Sequence, residues 1–92
     1  MDRALLQNEI NVALKAQDKP RLSILRQVLG EVKIIEVDER REVSEADVDA
    51  CLKRVLKQTR ETLDGSIKTG TDDIRTQLLT QQVTILEDYL PQ

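Results

Sequence analysis

Tyr89 is the only aromatic residue in this 92-residue chain. Without large rings, a core has to be assembled from Leu, Ile, Val and Ala, which interdigitate between helices more readily than they fill the space between two sheets. Three glycines and two prolines against 34% charged residues point the same way, to long amphipathic helices with short connections. A chain of this length buries only roughly 60–65% of its unfolded surface, so the core is modest. No segment alternates convincingly enough for a strand, and no internal repeat or low-complexity stretch is present.

Four helices follow from spacing and punctuation. The first is expected from about Asp2 to Gln17, with Leu6, Ile10, Ala13 and Leu14 on one face. Asp18-Lys19-Pro20 interrupts it; Asp18 can cap the next helix and Pro20 is tolerated in a first turn. The second helix runs from about Lys19 to Val37 or Glu39, with Leu22, Leu25, Val28, Leu29, Val32 and Ile35 as its stripe. Gly30 inside it is disfavoured by about 1 kcal/mol relative to Ala, and close approach of a neighbouring helix would explain it. Ser44 caps the third helix, striped by Val48, Leu52, Val55, Leu56, Leu63 and Ile67 and ending at Lys68 to Gly70, with Gly65 a place where it can fray early. Thr71 is expected to cap the fourth, which carries Ile74, Leu78, Ile85, Leu86 and Tyr89 and is bounded by Pro91. The expected fold class is all-α: a small bundle of four amphipathic helices in two hairpins, residues 1–92 forming one domain.

Most chemistry is excluded by residue type. There is no histidine, which removes the usual general base, the commonest nitrogen metal ligand and the usual triad partner. A single cysteine, Cys51, can make neither an internal disulfide nor a zinc site; beside an apolar stripe it reads as a small buried hydrophobe, and it fits a reducing, cytoplasmic compartment. The glycines form no phosphate loop, because no Lys-Ser/Thr follows at the required spacing. No catalytic residue, metal ligand or cofactor site can be named. A net charge of −3 argues against a wholesale nucleic-acid or membrane-surface protein, and no apolar run approaches the ~18 residues of a membrane span.

One charge pattern stands out inside the acidic total. From Ala50 to Arg60 there is no acid, while Lys53, Arg54, Lys57 and Arg60 all occur; Lys53, Lys57 and Arg60 share one helix face. Such a stripe can lie along an RNA phosphate backbone. Equally, it can be a solvated face whose cations pair with acids of a neighbouring helix. With no aromatic stripe to stack on bases, recognition would be of backbone and shape.

Four stretches together carry a resemblance to a known family. Lys15 to Arg26, a Lys-x-x-Asp-Lys turn followed by Arg-Leu-Ser-x-Leu-Arg, resembles the GatB/YqeY family, as do Val37-Asp38-Glu39-Arg40, Lys57-Gln58 and the closing Leu86-x-x-Tyr89-Leu90-Pro91-Gln92, in the same order. The pattern is departed from at Thr59, Ser66 and Thr71, and the stretch from Gly65 to Gln82 is shifted by about one residue. The resemblance implies a helical domain, found alone or as the C-terminal region of the GatB subunit of tRNA-dependent amidotransferases. There, amidation of Glu-tRNA(Gln) or Asp-tRNA(Asn) belongs to another domain, so any glutamine-dependent carbon–nitrogen ligase activity would be GatB's. It further implies a second small C-terminal domain, which this sequence does not reach.

The reading is therefore a non-catalytic accessory module that contacts tRNA or docks on a tRNA-dependent amidotransferase, with Lys53, Lys57 and Arg60 as phosphate contacts and Arg54 at their edge. The alternative is a protein-interaction or self-association module, a homo-oligomer among its forms. An amidotransferase acting alone is a third reading that lacks nucleophile, base and nucleotide loop. Neither membrane nor DNA is an expected partner.

Overall fold

The chain folds into four helices: α1 (Arg3–Lys15), α2 (Lys19–Glu39), α3 (Glu45–Thr69) and α4 (Asp73–Tyr89). This is a computed structural model, and it describes residues 1–70 and 72–90. Among them there is no strand, so the all-α expectation holds. Each helix starts on a side-chain oxygen that satisfies a free N–H of its first turn. Asp2 accepts from the Leu5 N–H at 2.7 Å and Asp18 from that of Arg21 at 3.3 Å. Ser44 and Asp47 form a reciprocal capping box at 3.2 and 2.8 Å. The fourth cap is Asp72, which accepts from the Arg75 N–H at 3.0 Å, one residue beyond the Thr71 expected. Thr71 and Pro91 themselves lie outside the described residues.

Helix ends are equally local. Gly70, at φ 61°, closes α3 by donating to the Ser66 carbonyl, as its sequence position suggests. Gln17 and Arg40 hold positive φ without being glycine, in the two connections that reverse the chain after α1 and α2.

α1 and α2 pack as one hairpin and α3 and α4 as another, and α2 touches all three other helices. Leu6, Ile24, Leu25, Val28, Val32, Val48, Leu52, Val55 and Leu86 are fully buried where the hairpins meet. Each such aliphatic side chain stabilises the fold by about 1.5–3 kcal/mol through removal from water. Cys51 joins this core as the small hydrophobe expected. The start of α1 is tied to the start of α3 by the Met1 ammonium, 2.9 Å from Asp49 and 3.4 Å from Glu45; both carboxylates hold its pKa above the ordinary value.

Several core assignments shift. Ile24 is buried although it lies outside the α2 stripe, because a helix contacted by three others buries a wider arc than one face. Leu14 is 53% exposed on α1, which has one main neighbour. On α4 the buried residues are Leu79, Gln82, Ile85 and Leu86, while Ile74 is 82% exposed and Leu78 lies at the surface. Ile67 on α3 is likewise exposed, and Thr59 is the last buried residue of that helix. Gln82 donates to the Pro20 carbonyl at 3.3 Å, which sets the first turn of α2 level with Gln82. The ends of α3 and α4 near their connection reach past that point and have no helix to cover them. Gly65 does not fray α3, which continues to Thr69. Gly30 receives no close neighbour: a Cβ built there would meet nothing within 4 Å.

Candidate nucleic-acid interface

The basic residues of α3 occupy its solvent side because the core takes the opposite one. Val48, Leu52, Val55 and Leu56 are buried, and Lys53, Arg54, Lys57 and Arg60 are all exposed. They do not behave alike. Arg54 lies 3.7 Å from Glu31 of α2, and Arg60 lies 3.2 Å from Glu87 of α4. The two arginines thus mark the edges of the face, each partly neutralised by the next helix. Lys53 and Lys57, between them, have no carboxylate within ion-pair distance among the described residues. Its arginines pair with acids of the neighbouring helices, and its lysines carry no ion-pair partner among the described residues.

A second cationic face escaped the sequence reading. Lys19, Arg26 and Lys33, seven residues apart, are exposed along α2, and none has an ion-pair partner among the described residues. The acids of that helix body are turned to its flanks. Glu31 meets Arg54 of α3, and Glu36 meets Arg3 of α1 at 3.5 Å. Interleaving of Glu31 and Glu36 with the cations hides the pattern in sequence; only the helical arrangement separates them.

The two most distinctive stretches of the chain meet at the other end of α2. Arg21 donates to the Asp18 carboxylate at 3.1 Å and to the Tyr89 hydroxyl at 2.5 Å, joining the α1–α2 turn to the end of α4. Burial pushes the Tyr89 phenol above its usual pKa, against the opposing pull of the Arg21 guanidinium. The one aromatic ring is therefore held by an arginine at a half-buried site.

Two open clefts flank the α4 helix. One, of about 550 Å³, lies against Asp18, Pro20, Arg21, Thr84 and Asp88; the other, of about 490 Å³, lies against Thr62, Gly65, Ser66, Thr69, Asp72 and Arg75. Their linings offer hydroxyls, carboxylates and arginines, and neither contains a histidine, cysteine or lysine. Burial raises the Cys51 thiol pKa, so the thiol stays protonated at neutral pH. Among the described residues no group of three or more His, Cys, Asp or Glu is arranged to hold a metal ion, and no helix is long and apolar enough to cross a membrane.

A family model described as Yqey-like protein matches residues 3–92. The chain belongs to that family, as its turn and closing motifs lead one to expect. A search of the curated proteins finds no match. Thr59 and Ser66 both fall within the match. Thr59 is buried and donates to the Val55 carbonyl at 2.7 Å, and the Ser66 hydroxyl shares a 2.6 Å hydrogen bond with Thr76 across the α3–α4 tip. Both hydroxyls find their partners within the chain.

Proposed function

We propose that this YqeY-like chain is a non-catalytic accessory module that contacts the phosphate backbone of tRNA through the outer face of α3. Lys53 and Lys57 make the direct contacts, and Arg54 and Arg60 add to them from the edges. The observation that carries this reading is the pair of exposed lysines with no carboxylate within ion-pair distance among the described residues, in a chain whose total charge is −3. Recognition is of backbone and shape, because the sole aromatic ring is half-buried and already faced by Arg21. The resemblance to the C-terminal region of GatB supplies the biological setting: a tRNA-dependent amidotransferase, or the tRNA it handles. No chemical step is assigned to the chain itself.

Fluorescence anisotropy of labelled bulk tRNA, at low and near-physiological salt, tests this. Wild type should bind with an affinity that falls steeply as salt rises. A Lys53→Glu/Lys57→Glu/Arg60→Glu variant of unchanged helicity should lose binding. Absence of wild-type binding at low salt sinks the assignment.

A second reading, as a protein-interaction or self-association module, is favoured by one specific feature. Ile67, Ile74 and Leu78 are exposed near the α3–α4 connection, at sites that pattern with the core. Sedimentation velocity showing a concentration-dependent dimer that ignores RNA and dissociates on Ile74→Ser would favour this reading over the first.

A further inference from the structure

We infer that the exposed face of α2 is a second phosphate-contacting surface, so that an RNA double helix is held by two adjacent helices of this protein. This rests on the RNA-contacting reading above and extends it to Lys19, Arg26 and Lys33. From Lys19 to Val37, the exposed positions of α2 include these three cations and no acid. A seven-residue step advances about 10.5 Å along a helix and rotates the side chain by only ~20°, so the three form one row about 21 Å long. None is neutralised within the fold among the described residues, whereas both arginines of the α3 face are.

The two faces are neighbours. Glu31 on the flank of α2 and Arg54 on the flank of α3 form the ion pair that stands between them. On one side of that pair lies the Lys19–Arg26–Lys33 row, on the other Lys53 and Lys57. Glu31 is thus an acid set between the two cationic faces, while Glu61 and Asp64 are exposed further along α3. Removing the Glu31 charge should free Arg54 and strengthen the attraction for a polyanion.

The centre of the α2 face consists of Ser23, Arg26, Gln27 and Gly30, all exposed. It lacks the apolar or aromatic anchor around which protein interfaces are built; the exposed Ile34 and Val37 stand beside and just past Lys33, at the C-terminal end of the row. A second copy of this face is disfavoured because three cations would meet three. Phosphates suit it better, and a regular duplex suits a straight row of point charges better than a folded single strand does.

The test measures binding of bulk tRNA and of a mixed-sequence RNA duplex over a salt series, for four proteins of confirmed helicity. These are wild type, Arg26→Gln/Lys33→Gln, Lys53→Gln/Lys57→Gln and Glu31→Gln. The α2 variant should bind about tenfold or more weakly at low salt, with the slope of log affinity against log salt shallower by about 2. Glu31→Gln should bind about two- to threefold more tightly, an effect that damage to the fold cannot mimic. Weakening by the α3 variant alone, with the α2 and Glu31 variants equal to wild type, overturns this inference and leaves the RNA reading intact. Failure of wild type to bind either RNA overturns both. Strong binding to tRNA with none to the duplex overturns the double-helical partner.

Discussion

Within the α3–α4 hairpin, two lengths of the same helices meet different fates. From Val48 to Thr59, α3 buries six residues against α2 and α4; from Arg60 to Thr69 it buries none. On α4 burial likewise begins only at Leu79. The apolar spacing does not change across the boundary, since Leu63, Ile67, Ile74 and Leu78 continue the pattern. What changes is the neighbour. The α1–α2 hairpin ends at its turn near Asp18, and beyond it the tip is held by polar contacts such as Ser66 with Thr76. Periodicity specifies a helix, and burial requires a second surface to meet it.

The largest effect that separates the regions is cavity formation. Leu52→Ala should destabilise by about 2–5 kcal/mol, and Ile67→Ala should stay within about 0.5 kcal/mol, both by urea denaturation. Equal losses would show that the tip is packed after all. Next is the Arg21–Tyr89 link: Tyr89→Phe removes its acceptor and should cost about 1 kcal/mol by the same measurement. Smaller and of opposite sign are the glycines. Gly30→Ala and Gly65→Ala should each stabilise by about 0.5–1 kcal/mol, since neither Cβ meets anything within 4 Å. If the tip opens by itself, Gly65→Ala should raise hydrogen-exchange protection there more than it raises the global midpoint.

The smallest expected effect is a pH dependence at the start of α3. Arg41 and the Ser44 N–H and hydroxyl hold the Asp47 carboxyl well below the ordinary carboxylate range. A depressed pKa means stability that is present above the unfolded value of 3.8 and lost as pH falls toward the folded one. The melting-temperature difference between wild type and Asp47→Asn should therefore be constant from about pH 5 to 7 and shrink below about pH 4. A difference that grows on acidification would contradict the ion pair.

Much of the fold is legible in the sequence because its signals are local. Asp18, Ser44 and Gly70 mark ends through hydrogen bonds within a few residues, and the stripes on α2 and α3 contain most of the core. Ile24, Leu79, Thr59 and Gln82 were missed for two physical reasons. Which side of a helix is covered depends on partners remote in the chain, and a buried polar residue can satisfy itself, as Thr59 does on Val55 and Gln82 on Pro20. The candidate interface follows the same division. The α3 cations are visible as an acid-free run, whereas their pairing with Glu31 and Glu87 and the row on α2 depend on which flank each acid occupies.

The Arg21–Tyr89 hydrogen bond joins residues 68 positions apart, while each hairpin is closed by a short connection. In kinetic terms, the hairpins can form early from nearby contacts, and this bond must await their docking. Tyr89→Phe should then leave the refolding rate nearly unchanged and express its loss as faster unfolding. The latch between the first turn of α2 and the last of α4 would thus govern how long the native state persists, with little influence on how fast it is reached.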